Sequence, residues 1–353
     1  MNYSEIAYKI INNILRLTPG QTIMVSAEIH NVEEHDDPLV EIPFLEELAL
    51  SIRKYKGLPI IDISTENLHK RFFEEVYEED TTIAVNLFYK WLESADIFID
   101  LAWRSNPIFY KSIPDRNYKR LTVVPAELLT AFEKTGKKLI LLGYPTKSLA
   151  NYLDIDDVML KQAYIESLNT DYHNLKKRAV LLDWKMKKAR IWNVITDNRN
   201  LSIELIQEPK SLYGDIGEDS VIILPTGSWL QDINKETLSG MFYCDCVYHD
   251  KNKWENIQII FENGRITDVE TDSDQKNLNL LKSILFFDIE SVQLNIGLNK
   301  EIKQRTGYKL FDMIKNKTLS LLLKTQRGQV ILLSERAQIC SSDNIDILSE
   351  GDI

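Results

Sequence analysis

The chain has 353 residues, of which 44% are hydrophobic and 27% charged, and its formal net charge is −11 at pH 7. This composition is typical of a globular protein and excludes the disordered and fibrous classes. No apolar stretch approaches the roughly 20 residues of a membrane-spanning helix, and the acidic balance disfavours a nucleic-acid partner. At about 150 residues per domain, the length predicts two domains.

The N-terminal segment and the cysteines indicate a cytoplasmic protein. Residues 1–17 carry Glu5 early and lack the basic-then-apolar order of a signal peptide. The three cysteines are Cys244, Cys246 and Cys340, an odd number that indicates reduced thiols. The CxC spacing places two sulfurs on one face of a strand. Thiols in the core or at the surface are favoured over a zinc site there, because a zinc site needs two more ligands and only His249 lies nearby in sequence.

The first half of the chain alternates helix and strand patterns. Apolar residues recur at helical spacing from Ile6 to Leu17 and from Ile42 to Ile52. Further helices are predicted at residues 126–134 and 154–177. Strands are predicted at residues 22–27, 58–64, 95–103, 120–125 and 137–145. Strands alternating with helices at these intervals predict an N-terminal α/β domain with a parallel sheet.

The second half consists of closely spaced strands with fewer helices. Strands are predicted at residues 187–195, 201–205, 220–227, 241–249, 254–272, 291–299, 318–325 and 329–333, with helices at 274–287 and 308–316. The sequence Glu-Asn-Gly at 262–264 is typical of a hairpin turn. These patterns predict a mixed α+β, mostly antiparallel C-terminal domain, and we place the two domains at residues 1–177 and 178–353.

Two charged segments are candidates for binding. Residues 176–190 are rich in lysine and arginine, and a solvated helix end followed by a strand edge is favoured over a nucleic-acid site. Residues 27–41 carry two histidines among several carboxylates, a set of ligands that metals accept. Acidic residues before a helix also suit its N-terminal dipole, and this second interpretation is favoured.

Several stretches, in order and over nearly the whole chain, resemble the M29 metallopeptidases, the aminopeptidase T (AmpS-like) family. They are LTPGQTIMVSAE, LLGYPTKSLANYLDIDD, WNVITDNRNLSIEL, IILPTGSW, ENIQIIFENGRITDVE, VQLNIGLN and LFDMIKNKTLSLLL. The resemblance implies an aminopeptidase T-like fold, a homodimer, and a C-terminal domain that holds two metal ions for peptide hydrolysis. Such ions polarise the peptide carbonyl and generate a hydroxide nucleophile.

At the positions that match the family's metal ligands, this chain departs from the pattern. Ser228 stands where IILPTGSW matches a motif ending in a ligand glutamate, and Gln293 stands where VQLNIGLN matches another. Ser320 stands in place of a ligand histidine. Each change keeps a small or isosteric polar group and removes a negative charge or a metal lone pair. All five histidines lie before residue 250. The resemblance therefore predicts a two-domain framework without catalytic residues, metal or cofactor.

We interpret the chain as an inactive aminopeptidase-like protein that binds a peptide, or a peptide segment of a partner, around Ser228, Gln293, Ser320 and Trp229. Trp192 is a further candidate for the wall of the cleft, although packing in the core is favoured for both tryptophans. The alternative is an active metallo-aminopeptidase with rearranged ligands, for which Asp288, Glu290 and Asp312 are the nearby carboxylates. A new enzyme using Ser228 as nucleophile lacks an identifiable partner base. We expect neither nucleic acid nor a membrane as partner.

Overall fold

The computed structural model describes residues 3–29, 42–65, 89–101, 130–206, 209–212, 220–271 and 275–341, together with Leu68, Arg71 and Glu75. The chain divides into two compact units, Met1–Tyr172 with Gly214–Pro225, and His173–Tyr213 with Thr226–Ile353. The predicted strand at 120–125 and most of the charged segment at 27–41 lie outside the described residues. Within the described ranges, no helix is long and apolar enough to cross a membrane.

The helices and strands are numbered in chain order. The helices are α1 Tyr3–Tyr8, continued by a π-helix at Lys9–Ile14, α2 Ile42–Lys54, α3 Lys147–Leu153, α4 Asp157–Leu168, α5 Tyr172–Met186, α6 Gln275–Leu285 and α7 Lys309–Ile314. The strands are β1 Thr22–Ile29, β2 Leu58–Thr65, β3 Ile97–Asp100, β4 Lys138–Leu141, β5 Ile191–Thr196, β6 Arg199–Glu204, β7 Lys210–Leu212, β8 Val221–Ile223, β9 Ser228–Ile233, β10 Ser239–His249, β11 Asn252–Glu262, β12 Arg265–Thr271, β13 Ile289–Gly297, β14 Leu319–Thr325, β15 Gly328–Ser334 and β16 Ala337–Ser341.

The first unit is built on a parallel sheet, as the sequence predicted. Its described strands follow the order β2-β1-β3-β4-β8, and every pairing between neighbours is parallel. The central strands β3 and β4 are short and almost wholly buried, which suits a parallel sheet covered on both faces. Helix α2 buries one stripe of side chains, including Phe44, Leu48 and Ile52.

The second unit is built on an antiparallel sheet. The described strand order is β16-β5-β6-β10-β15-β14-β13-β9-β7, and β11 and β12 extend from β10 as a meander. The predicted hairpin turn is confirmed between β11 and β12, where Asn263 and Gly264 both have positive φ. One face of this sheet packs against α5 and α6 in the main core of the unit. The other face carries a smaller apolar cluster around Cys246, Tyr248 and Met313.

Two predicted elements differ in the structure. The helix predicted at 154–177 is two helices: α4 begins where Asp156 Oδ1 accepts the N–H of Met159 at 2.8 Å, and α5 continues to Met186. The strand predicted at 220–227 is present as β8, but it pairs in parallel with β4 of the first unit. Helical periodicity does not reveal the break at residues 169–171, and the apolar pattern of β8 does not specify which sheet it joins.

Candidate functional site

The three predicted ligand positions lie on neighbouring strands of the second unit. Ser228 begins β9, Gln293 lies within β13, and Ser320 lies within β14. Asn295 of β13 is opposite Ser320 on one side and opposite Leu230 on the other. Because side chains alternate between the two faces of a strand, all three predicted positions share the face that carries Asn295. The fold therefore brings them to one surface of the sheet.

These positions form an extended row on that surface. Ser228 is opposite Gly297, which lies four residues along β13 from Gln293, and four residues of strand span roughly 13 Å. Ser320 lies between these ends, beside Asn295. The middle of the row is therefore a Ser–Asn pair, and Asn295 is a residue that the sequence did not single out.

The two tryptophans named as cleft candidates lie elsewhere. Trp229 is opposite Ile296 and belongs to the main core, on the other face of the sheet, with 0% exposure. Its indole N–H donates to the Asp183 carboxylate of α5. Trp192 is equally buried in the core, and its indole N–H donates to the Ala189 carbonyl at 3.0 Å. The structure does not bring either ring together with the row of polar residues.

A turn covers one end of the row. The side-chain amide of Asn295 donates to the Met313 carbonyl at 2.9 Å. The Gly297 N–H donates to the Thr318 carbonyl at 2.8 Å. These bonds hold segment 313–318 against β13, and we call this covered part of the row the closed end.

The closed end contains buried oxygen atoms without hydrogen-bond partners. Ser320 and Asn295 have no exposed surface, and Ser228 is 6% exposed. In the part of the chain that the structure describes, Ser320 Oγ, Asn295 Oδ1 and Thr318 Oγ1 have no partner. A buried polar atom left in this state costs about 1–3 kcal/mol. The closed end is therefore polar but uncharged, and its hydrogen-bonding capacity is not used within the described chain.

The opposite, open end of the row carries a carboxylate. Gln293 Nε2 donates to Asp232 Oδ1 at 2.8 Å, and both side chains are partly exposed. Asp232 is opposite Gln293 in the pairing of β9 with β13. Among the described residues, no other side chain hydrogen-bonds to this carboxylate. The Asp232–Gln293 pair is the accessible polar part of the site.

The carboxylate of Asp312, a candidate replacement ligand, accepts several hydrogen bonds from neighbouring residues. It is 1% exposed and accepts hydrogen bonds from Tyr248 Oη at 2.5 Å, from the N–H and hydroxyl of Thr306 at 2.7 and 2.9 Å, and from the Gly307 N–H at 2.9 Å. Burial raises the pKa of the Asp312 carboxyl and raises the pKa of the neighbouring Cys246 thiol to about 12. The network holds the loop before α7 in place.

Of the other candidate ligands, Asp288 and Glu290 lie at the surface and His249 is partly buried. Glu290 is exposed and forms an ion pair with Lys324 at 3.3 Å. Asp288 is also exposed. His249 Nε2 lies 3.0 Å from the Arg327 carbonyl, at the turn between β14 and β15. None of these residues hydrogen-bonds to Ser228 or Ser320 in the described chain.

The residues of the row do not fit the two metal ions that the resemblance implies. Divalent transition metals in hydrolases are held by carboxylates and imidazoles, whereas Ser228, Asn295 and Ser320 offer only neutral oxygens. Asp232 is the one carboxylate hydrogen-bonded to the row among the described residues. Across the same residues, no group of three or more His, Cys, Asp or Glu side chains is placed to hold a metal.

The sequence missed two residues of this site, Asn295 and Asp232. Each lies an even number of positions from a predicted residue on the same strand, two from Gln293 and four from Ser228. The two-residue period of a strand could have identified both as neighbours on the same face. Their roles still depended on the pairing register of β9, β13 and β14, which the sequence pattern does not specify.

A parallel-sheet α/β unit with an antiparallel-sheet unit defines the aminopeptidase T-like fold, and this chain has that fold. AmpT from Thermus thermophilus superposes with a TM-score of 0.62 at 12% identity, over 98% of this chain and 96% of that one. The fold prediction is confirmed by this similarity.

The 2,5-dihydroxypyridine dioxygenase from Pseudomonas putida KT2440 superposes with a TM-score of 0.63 at 15% identity, over 98% of this chain and 95% of that one. No family model and no curated protein matches the sequence. Because one of these similar structures is an AmpT and the other a dioxygenase, the shared fold does not select a chemistry. The function has to be argued from the side chains of the site.

Proposed function

We propose that the chain is a catalytically inactive aminopeptidase-like protein that binds a peptide. The observation that carries this proposal is the uncharged row of Ser228, Asn295 and Ser320 on the face where the resemblance places metal ligands. Two-metal hydrolysis requires ligands that hold cations and lower the pKa of bound water. Ser228 does not replace that chemistry, because no described base hydrogen-bonds to its hydroxyl.

The open end supports peptide binding as the retained activity. The Asp232 carboxylate is a partner of the right charge for the free amino terminus of a peptide, and Gln293 offers an amide that pairs with peptide backbone. Gln293 also positions Asp232 through their 2.8 Å hydrogen bond. The ligand of this proposal is a short peptide or an N-terminal segment of a partner, such as a precursor or regulatory peptide.

Peptide binding is tested with a panel of short fluorescent peptides, each prepared with a free and with an acetylated amino terminus. We expect the free form to bind more tightly, and Asp232→Asn to remove that preference. Glu262→Gln, which neutralises an exposed carboxylate of the same unit, is the matched control and should retain it. Equal binding of both peptide forms by the wild type would reject recognition of the amino terminus.

The loss of the metal site is tested by restoring the charges. We expect the triple variant Ser228→Glu, Gln293→Glu and Ser320→His to bind Zn²⁺, Co²⁺ or Mn²⁺ more tightly than the wild type in calorimetric titrations. The matched control replaces the same three residues with alanine and should gain no metal affinity. Unchanged affinity in the folded triple variant would show that these positions are not a former ligand shell.

The alternative function is an active metallo-aminopeptidase with rearranged ligands. Metal analysis of protein purified without chelators distinguishes the two proposals. About two equivalents of metal per chain, together with release of free amino acids from short peptides, would establish the alternative and reject the inactive protein. We also propose a homodimer, which sedimentation velocity over a range of concentrations tests directly.

A further inference from the structure

The basic segment at residues 176–190 contains an exposed apolar surface that the sequence pattern did not reveal. On α5, Trp184 is 59% exposed, Val180 53% and Leu181 39%. Lys177 precedes this group by one turn, and Lys188 follows it. Lys177, Val180, Leu181 and Trp184 are spaced i, i+3, i+4 and i+7, so they form one stripe along α5. Lys188 lies in the turn that follows the helix, with its ammonium over the Trp184 ring. We call Lys177, Val180, Leu181, Trp184 and Lys188 the α5 stripe.

Contacts on the inner face of α5 hold the helix in an orientation that exposes the α5 stripe to solvent. Leu175, Leu182 and Met186 are 0–2% exposed and belong to the main core of the second unit. Arg178 donates to the Leu298 carbonyl and to the Asn316 side chain. Because these contacts lock the rotation of the helix, α5 cannot bury its outer apolar residues by turning.

A large aromatic residue one turn beyond two exposed aliphatic ones is unusual on a solvated helix face. Isolated exposed apolar residues are normal, but a contiguous group that includes tryptophan is typical of an interaction surface. Tryptophan is also enriched among the residues that dominate interface energies. The Lys188 ammonium lies 3.5 Å from the centroid of the Trp184 ring, a cation–π contact that holds the ring in place.

The charges around the stripe specify the partner. Within the described chain, neither Lys177 nor Lys188 forms an ion pair, so one unpaired cation lies at each end of the apolar group. The chain as a whole has a net charge of −11, which makes this basic surface a local exception. Charge complementarity therefore favours a ligand whose carboxylates flank its apolar side chains.

We propose that the α5 stripe binds an acidic amphipathic segment of a partner protein. The apolar side chains of the segment pack on Val180, Leu181 and Trp184, and its carboxylates pair with Lys177 and Lys188. In a helical segment, the apolar anchors that face the α5 stripe recur at i, i+3, i+4 and i+7. The surface is separate from the Asp232–Gln293 site, and the inference does not depend on the proposed function.

Two other occupants fit less well. A second copy placed symmetrically on this face would bring the lysines of both stripes together, and like charges across an interface are unfavourable. Single-stranded nucleic acid would stack on Trp184, but Val180 and Leu181 offer no stacking surface, and the chain is strongly acidic. Both occupants remain outcomes that the experiment can identify.

The test uses fluorescence anisotropy of the full chain with designed probes. The first probe is a 15-residue amphipathic helical peptide with leucine and phenylalanine anchors at helical spacing and glutamates on both flanks. The second has lysines in place of the glutamates, and the third is a single-stranded oligonucleotide. We expect the acidic peptide to bind most tightly, with an affinity that falls as salt concentration rises.

Three variants separate the contributions. Trp184→Ala should weaken binding of the acidic peptide about tenfold or more, because it removes the largest apolar side chain of the α5 stripe. Lys177→Glu combined with Lys188→Glu should reverse the preference toward the lysine-flanked peptide. Leu280→Ala is the matched control, since Leu280 is a comparably exposed (46%) apolar residue on α6, and it should leave binding unchanged.

Several outcomes would overturn the proposal. Equal binding of both peptides, or no binding of the acidic peptide at millimolar concentration, would reject the charge-complementary partner. Tighter binding of the oligonucleotide would assign the stripe to nucleic acid. Loss of self-association in sedimentation velocity on Trp184→Ala would assign it to a second copy. The thermal transition of each variant confirms folding, which these exposed substitutions should preserve.

Discussion

Ser320 lies at the centre of the proposed site and makes no hydrogen bond with its hydroxyl in the described chain. It is fully buried beside Asn295, whose side-chain oxygen is likewise without a partner. Polar atoms in a protein interior are rarely left without a hydrogen bond, because burial removes their hydrogen bonds to water. The pair therefore carries a cost in stability.

We expect Ser320→Ala to raise the free energy of unfolding by roughly 1 kcal/mol, because the variant no longer buries an unsatisfied hydroxyl. Urea denaturation measures the change. The control is Thr306→Val, which removes a hydroxyl that donates to Asp312 at 2.9 Å and should lower stability by about 1–2 kcal/mol. A loss of stability in Ser320→Ala would indicate an ordered water bonded to the hydroxyl.

Asp312 predicts a pH dependence of stability. Its pKa is raised by burial, against hydrogen bonds from Tyr248, Thr306 and Gly307 that lower it. A carboxyl whose pKa is higher in the folded state contributes its full stability below the unfolded value of about 3.9 and loses it as pH rises through the folded value. The stability of the wild type relative to Asp312→Asn should therefore fall as pH rises above about 4.

Denaturation of the wild type and of Asp312→Asn from pH 3.5 to 7 tests the direction of this change. The two proteins share all other carboxylates, so the difference between their stabilities reports the titration of Asp312 alone. Asp268→Asn is a control of opposite sign, because the Val269 N–H and Lys282 lower the pKa of Asp268. For that pair, the stability of the wild type relative to the variant should rise with pH. A flat difference for Asp312→Asn would contradict a raised pKa.

At the scale of elements, the closed end depends on the close approach of two backbone segments. A Cβ atom built on Gly297 of β13 would lie 2.0 Å from the Lys315 carbonyl oxygen and 2.7 Å from that of Met313. Only glycine allows segment 313–318 to lie against the strand at this distance. The family-like Gly-x-Asn sequence at 297–299 therefore serves packing in this chain, whatever the site binds.

We expect Gly297→Ala to lower the free energy of unfolding by about 1–3 kcal/mol or more, because the added methyl group displaces the covering segment. Chemical denaturation measures the loss, and hydrogen exchange at 313–318 should accelerate. Ser291→Ala, at an exposed position of the same strand, should change stability by less than about 0.5 kcal/mol. If Gly297→Ala is as stable as the wild type and hydrogen exchange at 313–318 is unchanged, segment 313–318 accommodates the added methyl group without cost.

At the scale of the whole molecule, the two units interleave along the chain. Strand β8 follows α5, β5 and β6 in sequence, yet it pairs with β4 at the edge of the parallel sheet. The predicted division at residue 177 would separate that strand from its sheet. A strand's partners are determined by contacts distant in sequence, so local patterns could not place it.

We expect a fragment of residues 1–177 to lack a cooperative thermal transition, because β4 would present an unpaired edge. The matched control joins residues 214–225 to the same fragment through a flexible linker, which restores β8 and should restore cooperative melting. Circular dichroism of the two fragments measures the difference. Equal and cooperative melting of both would show that β8 is dispensable for the first unit.

The sequence alone determined the type and approximate position of most described elements, since their apolar periodicities are local properties of the chain. The sequence alone also placed Ser228, Gln293 and Ser320 at the positions that resemble metal ligands. These side chains are uncharged, which follows from residue identity without any structure. Only the tertiary structure decided that β8 joins the parallel sheet, that Asn295 and Asp232 share the face of those residues, and that Trp184 points to solvent. These features depend on strand register and burial, which arise from contacts between residues distant in sequence.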